Sequence, residues 1–142
     1  MICFLLVAGC SSFNRDWKRA AVGPQMTNDV AGRWEGSWMS AKNGHNGRLR
    51  CLITPASENV YNARFRARFW KIFSFGYTAP LTVYRSNAVA HFTGEADLGK
   101  LAGGIYKYAG VIAGTNYYST YESKYDYGHF RMGRVSEGEI KE

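Results

Sequence analysis

Val60-Tyr61-Asn62-Ala63-Arg64-Phe65-Arg66-Ala67-Arg68-Phe69-Trp70-Lys71 alternates at nearly every step. Tyr61, Ala63, Phe65, Ala67 and Phe69 fall on one face. Asn62, Arg64, Arg66, Arg68 and Trp70 fall on the other. A period of two marks a strand with one buried and one solvated side. The stretches around it repeat the pattern. Trp34, Gly36 and Trp38 oppose Arg33, Glu35, Ser37 and Met39, and Leu49, Cys51 and Ile53 share a face. Lys42 to Gly47, with Asn-Gly twice, and Pro55 to Asn59 read as turns.

Downstream, Phe73 to Tyr84 and Ala88 to Phe92 are β-rich, with a turn at Ser86-Asn87. Asp97 to Gly104 is a loop with room for one helical turn. Ile105 to Ile112, Tyr117 to Ser123 and His129 to Val135 complete about eight short strands. That count and spacing predict an all-β fold. Short turns between consecutive strands favour an antiparallel up-and-down meander, and eight strands can close into a small barrel, fully or in part. A small membrane-embedded barrel is the minor alternative, opposed by the arginine-rich strands.

The N-terminus reads differently. Ile2 to Ala8 is apolar and leads into Gly9, Cys10 and a polar Ser11-Ser12-Phe13-Asn14. The run is too short to span a bilayer but fits the core of a signal peptide. Leu6-Val7-Ala8-Gly9-Cys10 resembles the lipobox of bacterial lipoproteins. The resemblance implies cleavage before Cys10, lipid attachment at Cys10 and a membrane partner. The acyl chains that such a cysteine carries suffice for stable anchoring, which a single chain does not give. Ser11, where Asp would favour inner-membrane retention, makes the outer membrane the expected location. The expected organisation is a signal peptide over 1–9, a lipidated N-terminus and tether over 10–29, a β domain over 30–135 and a charged tail over 136–142. In the tether, Trp17 among basic residues reads either as an interfacial anchor or as a stray aromatic in a solvated linker.

Gly32-Arg33-Trp34 at the first strand is similar to the Gly-x-Trp of lipocalins and other calycins. The likeness implies that Trp34 closes one end of a barrel and that a basic residue near the last strand, Arg131 or Arg134, packs across its ring.

The net charge of +7 lies in one window. Lys42, Arg48, Arg50, Arg64, Arg66, Arg68, Lys71 and Arg85 face a single acid, Glu58. Arg48 and Arg50 on one strand and Arg64, Arg66 and Arg68 on the next are candidate anion-binding residues. Their guanidinium groups suit phosphate or carboxylate. Lipid, glycolipid or peptidoglycan ligands fit an envelope location, and nucleic acid does not.

No catalytic, phosphate-loop, cofactor or metal motif is present. Cys3 would leave with the signal peptide, Cys10 would carry lipid, and Cys51 then has no disulfide partner. His45, His91 and His129 are scattered. His91, Glu95 and Asp97 are the sole conceivable enzyme or metal cluster, and the plainer reading is a strand end with solvated acids. The expected function is therefore a non-enzymatic binding module for a hydrophobic or anionic envelope ligand. A structural or assembly lipoprotein offering Tyr117, Tyr118, Tyr121, Tyr125 and Tyr127 to a protein partner is the alternative, and a hydrolase-type enzyme ranks below it.

Overall fold

A computed structural model describes residues 4–22, 29–69 and 73–136. Cys3, Trp70, Lys71 and the tail beyond Ser136 lie outside the described residues. Eight strands form a closed antiparallel barrel in sequence order. They are β1 (Gly32–Ser40), β2 (Asn46–Ser57), β3 (Val60–Phe69), β4 (Phe73–Ser86), β5 (Val89–Asp97), β6 (Ile105–Ala113), β7 (Asn116–Glu122) and β8 (Tyr127–Arg134). The last strand returns to the first, with Trp34 opposite Arg134 and Trp38 opposite Phe130.

Alternation sets what fills the barrel. Trp34, Leu49, Cys51, Ile53, Ala63, Phe65, Ala79, Leu81, Phe92 and Ile112 are all buried to 2% exposure or less. Closure draws β1 tightly against β8, so a Cβ on Gly36 would come within 1.9 Å of the Arg131 carbonyl oxygen. Only glycine fits that approach. β5 continues past Phe92 to Asp97, because Ala96 keeps the inward parity and pairs with Tyr106 on β6.

The N-terminal segment is not an irregular linker in its first half. Residues Phe4–Val22 form one helix, α1. Phe13, Trp17 and Ala21 recur at helical spacing and are 3%, 2% and 4% exposed. Phe13 and Trp17 cluster with Leu52 of β2, so α1 lies on the outer wall of the barrel. Trp17 is therefore neither a bilayer anchor nor a solvated stray. It sits between the Arg33 and Arg50 guanidinium groups, at 5.4 and 5.3 Å from its ring.

Burying one large aromatic side chain contributes about 1.5–3 kcal/mol, which is roughly ten- to a hundredfold in a docking equilibrium. Trp17→Ala is expected to loosen α1 by that order and leave the barrel folded. Trypsin cleavage after Lys18 and Arg19 should quicken by about tenfold or more, with an unchanged β-sheet circular dichroism spectrum. An unchanged cleavage rate would contradict this docking.

Candidate functional site: a half-hollow barrel

The two ends of the barrel differ. At one end β1 begins, and Trp34 fills the interior while its indole N–H donates to the Val30 carbonyl at 3.0 Å. The Arg134 guanidinium lies over the Trp34 ring at 4.4 Å. Its Nη1 donates to the Ala31 carbonyl at 2.7 Å and its Nη2 to that of Asp29. Asp29 in turn receives Arg85 on both carboxylate oxygens, at 3.1 and 2.7 Å, and that contact holds its carboxyl below the usual range. Gly32 has φ +135°, and a Cβ there would meet Arg134 Nη1 at 2.6 Å. The glycine of Gly-x-Trp thus leaves the path that Arg134 takes to Trp34. Arg131 does not share this role. It has the outward parity of β8 and stacks on Tyr118 at 4.9 Å.

The other end is open. A cavity of about 800 Å³ enters the barrel there, between the ends of β1, β3, β5 and β7 and the starts of the strands that follow them. Phe65 stacks against Tyr77, Tyr108 and Phe130 and is itself outside the lining, so those three rings form the floor. Trp38, Phe75, Tyr106 and Tyr121 make the walls, and Leu98, Lys100, Leu101 and Tyr125 the rim. A volume of this size, walled by aromatic rings with few polar atoms, has the dimensions and chemistry of a small-molecule site.

Polar groups at the mouth are held by the protein. Asp126 accepts from Ser40 Oγ at 2.6 Å, from Tyr121 Oη at 3.0 Å and from the Tyr127 N–H at 2.9 Å. Burial, with the Asp126 carboxylate second, raises the Tyr121 phenol above its ordinary value. The floor is different. Tyr108 Oη is buried there beside the Tyr77 phenol.

The arginine row is largely taken up by the chain itself. Arg48 pairs with Glu35 at 2.6 Å, and Arg50 lies 4.0 Å from the same carboxylate. Arg64 donates to Asp16 and to Ser12 Oγ, each at 2.6 Å, and stands over the Phe13 ring. Arg66 donates to the Asn14 side chain. Three of the five candidate arginines thus face α1, and Arg68 is exposed near the mouth. The Arg64 contact holds the Asp16 carboxyl below its usual value. Its support for helix docking is present above the ordinary carboxylate pKa and fades as pH falls through the lowered one.

The remaining sequence candidates separate. His91 lies on the outer face of β5, stacked on Tyr84 at 4.9 Å. Glu95 pairs across strands with Lys107, and Asp97 accepts the Gly99 N–H at 2.9 Å. No metal-ligating cluster occurs among the described residues. Tyr117 and Tyr121 point into the barrel at 2% and 4% exposure and cannot serve as outer contacts, whereas Tyr118, Tyr125 and Tyr127 are exposed. Cys51 is fully buried, and burial raises its thiol well above the ordinary value. The alternation along β7 was the available signal that Tyr117 and Tyr121 face inward and Tyr118 outward. The stagger that leaves a hollow between them has no signature in one strand.

Compared with protein-family models, with curated proteins and with solved structures, the chain has no match in any of the three.

Proposed function

We propose that this chain is a membrane-anchored envelope lipoprotein whose barrel is a non-enzymatic binding module for a hydrophobic small molecule. The observation that carries the reading is the aromatic-walled cavity of about 800 Å³ at the open end. An apolar guest leaves water for aromatic walls, and each Å² so buried contributes about 25 cal/mol before the costs of association. The hydrophobic ligand is favoured over the anionic one because Arg50, Arg64 and Arg66 already engage α1. A protein partner is the second reading, favoured by the exposed rings of Tyr125 and Tyr127 beside the mouth.

The anchor rests on the lipobox resemblance. Cleavage before Cys10 would keep Phe13, Trp17 and Ala21, the buried residues described on α1. The lipid would then join a helix fixed to the barrel wall rather than a long free tether.

Two measurements test this. Cys10→Ser should abolish metabolic palmitate labelling and move the chain from the membrane to the soluble fraction. Continued labelling or membrane recovery would contradict the anchor. Native mass spectrometry of the chain made in a bacterial envelope should show a small-molecule adduct that denaturation removes. A bare mass under native conditions would contradict a tightly held ligand.

A further inference from the structure

Charge divides the barrel wall into two unlike sides. Among the described residues, α1 and strands β1, β2 and β3 carry nine basic side chains against two acids, Asp16 and Glu35. Strands β5 to β8 are balanced, with Lys107, Arg131 and Arg134 against Glu95, Asp97 and Glu122. The two acids of the basic side are already engaged, Asp16 by Arg64 and Glu35 by Arg48, each at 2.6 Å. That side therefore turns an excess of positive charge to solvent. A one-signed field of this kind attracts a partner of opposite sign.

The helix concentrates that charge on its outer face. Phe13, Trp17 and Ala21 are turned to the wall. Arg15, Lys18, Arg19 and Val22 are exposed and fall within about 100° of one another on the opposite side of the helix. The Arg15 side chain is 61% exposed and Val22 75%. Cations around an apolar residue on one face suit a helix that lies on a bilayer surface. The position of the stripe chooses lipid over an acidic protein. Arg15 follows Cys10 in the same helix, about 8 Å along its axis. A lipid on Cys10 would hold the stripe at roughly a Debye length, about 8–10 Å, from the headgroups.

We infer that Arg15, Lys18 and Arg19, the outer stripe of α1, dock on the anionic phospholipid surface of the membrane that Cys10 is tethered to. This rests on the lipid-anchor reading of Cys10 and adds an orientation to it. α1 meets Arg33 of β1 and Arg64 of β3, so it lies on the side wall of the barrel. Docking through its outer face turns that wall to the bilayer and leaves the open end uncovered. Each basic residue near an anionic surface is worth roughly fivefold in binding. Three of them favour the docked orientation by about a hundredfold.

The test places a reporter on the stripe of the chain as a bacterial envelope delivers it. Val22→Cys supplies an exposed thiol for an environment-sensitive fluorophore, while Cys51 is fully buried and Cys10 would be acylated. The labelled chain is reconstituted into vesicles of phosphatidylcholine alone and of phosphatidylcholine and phosphatidylglycerol in equal parts. The fluorescence should shift to the blue on the anionic vesicles only. Salt at about 1 M, which cuts the Debye length to about 3 Å, should reverse the shift. Arg15→Gln, Lys18→Gln and Arg19→Gln together should remove it, and Arg131→Gln on the balanced wall should keep it. The same emission on both vesicles, a shift that survives the triple substitution, or an equal loss with Arg131→Gln would overturn this inference alone. A chain that does not float with the phosphatidylcholine vesicles would overturn the lipid anchor beneath it. Should the triple variant not fold, the lipid and salt comparison in the labelled chain decides.

Discussion

Arg134 reaches from the last strand across the indole of Trp34 on the first, and its N–H groups hold the carbonyls of Asp29 and Ala31. A cation over a tryptophan face, largely removed from water, contributes about 0.5–2 kcal/mol. The geometric consequence exceeds that energy. The contact joins first and last strands where the sheet closes on itself, and it seals one end of the barrel. Burial works against the Arg134 charge, while Asp29 supports it. Asp29 is itself held by Arg85, so Asp29, Trp34, Arg85 and Arg134 fasten the chain ahead of β1 to the start and finish of the barrel.

With one end sealed, the packing of the other decides what the protein can do. Large rings dominate the interior near the mouth, but they stand against the walls and stack on Phe65 below. Barrels of eight strands are wide enough either to be filled by side chains or to hold one small ligand. This one does both along its axis. Trp34, Phe92, Ile112 and Tyr117 occupy the sealed half, and the space above Phe130, Tyr77 and Tyr108 stays open. α1 adds a third layer outside. Its aromatic stripe is met by arginines of the wall, so cation–π contacts and ion pairs do much of what a hydrophobic patch does elsewhere.

Much of the architecture was legible because strand periodicity is a local signal. Tyr61, Ala63 and Phe65 declare their face within five residues, and Gly32-Arg33-Trp34 points to the end that is sealed. The choice between Arg131 and Arg134 needed only the parity set by Phe130 and Met132. α1 was hidden for a physical reason. Its stripe of Phe13, Trp17 and Ala21 is narrow, and its partners Arg33, Arg50 and Arg64 are residues that normally read as solvated. The spacing i, i+4, i+8 was the available signal. The cavity was less legible still. Its volume depends on how side chains from eight strands meet across the barrel, and alternating aromatics are equally compatible with a solid core. Likewise, Glu95 and Asp97 share a face, but that face is the outer one.

The central claim is that the barrel is solid at the Trp34 end and hollow at the other. Crystallography under xenon pressure tests it most directly, because xenon enters apolar cavities without needing a particular ligand. The account predicts xenon bound above Phe130, between Tyr77 and Tyr108, and none beside Trp34. An interior without xenon at the open end, with side chains filling the space between Trp38 and Tyr106, would contradict it.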